Sequence, residues 1–167
     1  MKKVLSFLFL TFLLASAAQA QGSKPSPAAT AKGKSGEADI TITYFQPAVK
    51  GRKIWGGLVP FGEIWRTGAN NATTIEVSKD VKVEGQPLAA GKYALFTIPT
   101  EGGDWTFIFS KNTAQWGSYS YKKEEDALRV TVKSEKAPAL VERMTFDVKD
   151  KKVVLSWENL SVGFKVE

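Results

Sequence analysis

The sequence predicts an all-β protein, an antiparallel β-sandwich of jelly-roll type with one long irregular loop rich in Gly, Trp and Arg. A β-barrel is the alternative. Three observations lead there. Apolar and polar residues alternate in one short run after another, the two-residue period of a half-buried strand. Gly, Pro, Asn and Asp punctuate these runs at close intervals. Beyond the first twenty residues, no window sustains the apolar period of an amphipathic helix.

The N-terminal region precedes that pattern. Lys2 and Lys3 lead into an apolar run from Val4 to Ala15, and Ala18-Gln19-Ala20 makes a small-x-small cleavage site. Residues 1–20 therefore read as a signal peptide, its apolar run short for a membrane span. No cysteine follows to carry a lipid anchor, so the expected location is periplasmic or secreted, with no transmembrane segment in the mature chain. Residues 21–36 (QGSKPSPAATAKGKSG) hold no large apolar side chain. Such a stretch buries too little surface to offset its ordering entropy and reads as a flexible tether. Residues 37–167 remain as a single domain, long enough for one core and short for two.

The strands follow in order. Ile40, Ile42 and Tyr44 alternate with Thr41 and Thr43 ahead of Pro47, and Ile75 and Val77 share a face within Thr73 to Ser78. Val81 and Val83 lead into a turn at Glu84-Gly85-Gln86-Pro87, and Gly91 opens the next strand. From Tyr93 to Ile98 both faces are apolar, as in the middle of a packed sheet. The cluster Pro99 to Asp104 turns this strand into one on which Trp105, Phe107 and Phe109 share a face. Leu128, Val130 and Val132 mark a further strand, as do Met144, Phe146 and Val148. Asp150-Lys151 then turns into Val153, Leu155 and Trp157, and Val162, Phe164 and Val166 close the chain.

Composition narrows the chemistry. The formal charge of +6 overstates the folded part, because Lys2 and Lys3 belong to the signal and Lys24, Lys32 and Lys34 to the expected tether. What remains is nearly neutral, so no nucleic-acid partner is expected. Without cysteine there is no disulfide framework. Without histidine, Ser-His-Asp and Cys-His catalysis and His-ligated metal sites are closed. No cofactor and no metal is expected.

Gly51 to Ile75 (GRKIWGGLVPFGEIWRTGANNATTI) fits neither period. A long irregular segment in a compact domain is usually functional or a structural plug. Arg52 and Arg66 each carry a rigid fork of donors suited to carboxylate or phosphate. In one reading they grip an anionic or sugar-like ligand between Trp55 and Trp65. In the other they bind loop carbonyls or Glu63, and the tryptophans cap the open end of the sandwich. The backbone groups of a long loop need partners, which favours the second reading. Asn70 is a turn former first and a ligand contact second. Pro60 can start a helical turn through Glu63, and Ile64 to Thr67 can form a short strand.

A second loop, Gln115-Trp116-Gly117-Ser118-Tyr119-Ser120-Tyr121, combines aromatic rings with amide and hydroxyl groups. Trp116 and Tyr119 suit stacking on carbohydrate and Gln115 hydrogen bonding to it; alternatively Trp116 and Tyr121 fold back over a sheet edge. Lys122 to Asp126 reads as a solvated turn. For catalysis, a glycosidase-like carboxylate pair is the mechanism left open. Glu63 and Asp104, each beside aromatic residues, are the candidates, although Asp104 more simply ends a turn.

Arg52 to Gly62 (RKIWGGLVPFG), Trp65 to Asn70 (WRTGAN) and Ala72-Thr73-Thr74 resemble the signature of domain of unknown function family 2911. Val83-Glu84-Gly85, Leu88, Ala90 to Tyr93, Phe96 to Pro99, Trp105, Gln115-Trp116-Gly117 and Leu128-Arg129-Val130 continue it. Asn71 and Ser110 depart from it, where an acidic residue and Asn would stand. The resemblance implies a small, exported, bacterial all-β protein and assigns no activity, ligand or catalytic residue.

The favoured function is a non-catalytic, envelope-associated binding module for a glycan or another protein. A histidine-free hydrolase or lyase using a carboxylate pair is one alternative, and a purely structural envelope component the other.

Overall fold

The computed structural model describes residues 26–167. The expected signal peptide and residues 21–25 of the expected tether lie outside the described residues. The described strands are β1 (Ala28–Ser35), β2 (Ala38–Phe45), β3 (Thr73–Val77), β4 (Val81–Val83), β5 (Gln86–Leu88), β6 (Gly91–Ile98), β7 (Asp104–Ser110), β8 (Asp126–Lys149) and β9 (Lys152–Lys165). A single 3-10 turn, Lys123–Glu125, is the one helical element among the described residues.

Seven strands form one antiparallel sheet in the order β1-β2-β3-β6-β7-β8-β9, and β4 and β5 pair separately. Apart from that hairpin, neighbours in the sheet are neighbours in the chain, so short turns and two longer loops suffice to build it. The antiparallel all-β class is as the alternation predicts. The sheet curls until it is nearly closed and barrel-like, which lies between the sandwich and the barrel.

The expectation of a tether over residues 21–36 is corrected for its second half. Residues 28–35 form β1, which pairs along its length with β2, from Ala28 opposite Phe45 to Ser35 opposite Ala38. Backbone pairing carries this strand, and Ala29 and Ala31 pack against the core. Small side chains are what the position requires. A Cβ on Gly33 would stand 2.4 Å from the Val148 carbonyl oxygen, so only glycine lets β1 approach β8 this closely. The Ser35 hydroxyl donates to the Val166 carbonyl, tying β1 to the chain's end.

The two strands expected around Leu128 and Met144 are one, β8, bent by register shifts between Lys136 and Val141 and between Val141 and Thr145. β9 likewise contains both expected C-terminal runs and turns back at Glu158, whose φ is 56°. The fold-back sets the Ser156 and Ser161 hydroxyls 2.8 Å apart. It also lets the Val166 N–H donate to the Lys151 carbonyl at 2.8 Å. Gly163 sits inside this corner, where a Cβ would lie 2.5 Å from the Val153 carbonyl oxygen.

The inward faces merge into one core around the fully buried Trp105, Trp157, Phe107, Phe109 and Phe164. β6 is apolar on both faces because a second cluster, Ala72, Ala94, Phe96 and Ile108, lies on the other side. Ile64, Ile98 and Tyr121 cover it. Residues 46–72 thus reach across the sheet. Trp65 alone pairs with Thr97, at 2.8 and 2.9 Å, in place of the strand expected at Ile64 to Thr67. The stretch after Pro60 is a turn without helix.

Candidate functional site

Trp55 and Trp65 leave the long loop to join Trp105 of β7 and Trp157 of β9. Trp55 meets Trp105, Trp157 and Trp65 edge-on at 4.9, 5.6 and 6.0 Å, and Trp65 stacks on Trp157 at 5.8 Å. Both loop tryptophans are buried, so the segment is anchored in the core, as the plug reading expects. The Trp65 indole N–H donates to the Gly68 carbonyl at 3.1 Å. Those of Trp55, Trp105 and Trp157 are buried with no protein acceptor among the described residues. That is unusual, since a buried donor normally has a partner.

Beside this cluster lies a cavity of about 180 Å³, with Arg52, Arg66, Trp65 and Trp157 in its wall. The two arginines part ways here. Arg52 behaves as a loop brace: its Nη2 donates to the Ala48 carbonyl at 2.5 Å and its Nε to that of Val49 at 3.1 Å. Arg66 does not, which corrects the expectation that both would bind carbonyls or Glu63. Its Nε is buried without an acceptor among the described residues. Burial lowers the Arg66 pKa, an effect that nearby Tyr119 partly opposes.

The turn that presents Arg66 is strained. Thr67 is fully buried and β-branched, yet has a φ of 54°. Its hydroxyl lies 3.2 Å from that of Thr97, and its carbonyl accepts the Thr73 hydroxyl at 2.7 Å. Asn70 serves as a turn former at φ 56°, its amide reaching the Ser26 carbonyl at 3.5 Å.

The second loop docks beside the first through Asn71, which bridges to Trp116, and the Ala72 N–H, which donates to the Gln115 carbonyl at 3.2 Å. Gln115 is buried and structural: its side-chain amide donates to the Asn112 carbonyl at 2.9 Å. Trp116 and Tyr119 stack face to face at 6.1 Å and 15°. They are 66% and 87% exposed, so Trp116 does not fold back over an edge. Tyr121 does turn inward, meeting Phe96 edge-on at 5.4 Å.

Tyr121 is held by two residues that sequence reasoning did not single out. Its hydroxyl donates to Asp126 at 2.7 Å and accepts from Arg129, whose Nε donates to the same carboxylate at 2.6 Å. Burial and the bond to Asp126 push the Tyr121 pKa up to about 12. Burial works to lower the Arg129 pKa, but its bonds to Asp126 and Tyr121 outweigh that and raise it. Asp126, expected in a solvated turn, has a side chain only 10% exposed, because it anchors this network. On a strand, residues three apart face opposite sides, so the spacing of Asp126 and Arg129 carried no signal of this pair.

Residues 26–166 match the family described as Protein of unknown function (DUF2911). The chain belongs to the DUF2911 family. No curated protein and no solved structure matches it. The family match starts ahead of β1, in accord with the pairing of that strand. The string that carries the DUF2911 resemblance, Trp65 to Asn70, also contributes much of the cavity wall. Of the two departures from the signature, Asn71 is exposed beside Trp116, whereas Ser110 is fully buried at the bulge between β7 and β8.

Glu63 and Asp104, the candidate catalytic pair, are both exposed, and no hydrogen bond or ion pair joins them among the described residues. Neither lines the Arg66 cavity, whose wall contains no carboxylate among the described residues. The chemistry assembled here is that of donors and flat apolar surfaces.

Proposed function

We propose that this DUF2911 protein is an exported, non-catalytic binding module that presents Trp116 and Tyr119 to a glycan. One observation carries the reading: two aromatic rings, 15° from parallel, stand 66% and 87% exposed on a loop fixed from beneath. Such rings offer the C–H faces of a sugar an apolar surface. Gln115 below and the Tyr121–Asp126–Arg129 network behind hold the loop in place, which reduces the entropy lost on binding. Export rests on the signal-like residues 1–20.

The test is retention on immobilised envelope polysaccharides and a glycan array. Trp116→Ala and Tyr119→Ala are each expected to weaken binding about tenfold or more, about 1.4 kcal/mol. Neither ring is buried, so the melting temperature should stay put. Retention that survives both substitutions sinks the proposal.

A further inference from the structure

We infer that the cavity beside Trp65 and Trp157 binds the carboxylate of a small monoanion with an apolar body. Tyr119 of the exposed aromatic pair lies near Arg66, but the inference does not rest on the glycan reading. The cavity wall holds two guanidinium groups and, among the described residues, no carboxylate to pair with them. Arg66 lines the wall, and its Nε is buried with no acceptor among the described residues. Arg52 is held by the Ala48 and Val49 carbonyls through two of its nitrogens, which leaves its third for a ligand. Among the described residues, neither arginine has an ion pair and no Asp or Glu lines the cavity. Two neighbouring cations, one of them half-buried, are costly until an anion arrives.

Size and lining narrow the class. A cavity of about 180 Å³ is small for a whole drug-sized ligand and suits one acidic group with a short body. Pro47, Leu58, Val59 and the two indoles form apolar walls that favour an aliphatic or aromatic body. A phosphate dianion would have to shed more water for the same few donors, and a neutral sugar would leave the charge unmatched. The turn that aims Arg66 carries backbone strain at Thr67, of the kind found where a fold over-determines a binding group.

The test is a titration of the protein with benzoate, hexanoate, inorganic phosphate and glucose at fixed ionic strength. It is read by the fluorescence of the wall tryptophans and by calorimetry. A saturable response to benzoate or hexanoate is expected, at least tenfold weaker for phosphate and absent for glucose. Arg66→Gln should lose at least tenfold in affinity, while Trp116→Ala should bind the carboxylate unchanged, so failure here and failure of the glycan reading are distinct. If Arg66→Gln does not fold, Arg66→Lys, which keeps the charge but loses the planar fork, should still weaken binding at least threefold. No saturable response to either carboxylate, a preference for phosphate, or full affinity in the folded Arg66 variant overturns the inference.

Discussion

Arg52 and Arg66 sit in the wall of one cavity, yet their guanidinium groups meet different surroundings, and stability should register the difference. Arg52→Ala removes two hydrogen bonds to loop carbonyls and should cost about 1–3 kcal/mol in urea unfolding. Arg66→Met removes a half-buried charge whose Nε has no acceptor among the described residues, so unfolding without ligand should be unchanged or shifted to higher urea. A large loss in Arg66→Met would mean that its head group braces the fold after all. Sequence alone places the two in the same loop but cannot separate them, since which carbonyls each one reaches is decided by tertiary contacts. Tyr121 makes a second residue-scale prediction. Its folded pKa of about 12 lies above the unfolded value near 10. Between those values the unfolded chain loses this proton while the folded one keeps it, so stability falls as pH rises through the window. Tyr121→Phe should flatten that fall in thermal melts taken from pH 9 to 12.

At the scale of elements, the visible strands are those whose apolar residues are large and alternate, as in β2, β3 and β7, and the doubly buried β6. β1 was hidden because its contribution is backbone pairing and closeness, and small side chains leave no trace in an alternation count. The continuity of β8 and β9 was hidden for another reason: a bend that shifts register interrupts the pattern, although the hydrogen-bond ladder resumes beyond it. The corner in β9 makes Gly163 sensitive. Gly163→Ala puts a Cβ 2.5 Å from the Val153 carbonyl oxygen, an overpacking expected to cost about 1–3 kcal/mol. Equal stability of Gly163→Ala and the parent in chemical denaturation would show that the corner is looser than described.

For the molecule as a whole, the domain boundary is the testable quantity. A chain starting at residue 37 would lack β1, baring the edge of β2 and the side of β8 around Val148. Such an edge is a template for pairing with other chains. The shortened protein should unfold at lower temperature and associate further than the chain from residue 26 at the same concentration, as sedimentation would read. Matching behaviour of the two would restore residues 26–36 to the role of a tether. Most of the architecture was legible because a meander needs only strands and local turns. The functional surfaces were legible as loops, but the sequence did not tell which loop side chains are buried, braced or left bare.

The bond from Ser35 to Val166 spans 131 positions of the chain. The first hairpin can form early, but its outer side stays open until the last residues have been made, because β8 and β9 supply what covers it. Closure of this kind depends on contacts distant in sequence, and domains built that way fold in milliseconds to seconds rather than microseconds. A nascent chain of this protein therefore lingers without a finished sheet, its first strands waiting on a partner made 131 positions later.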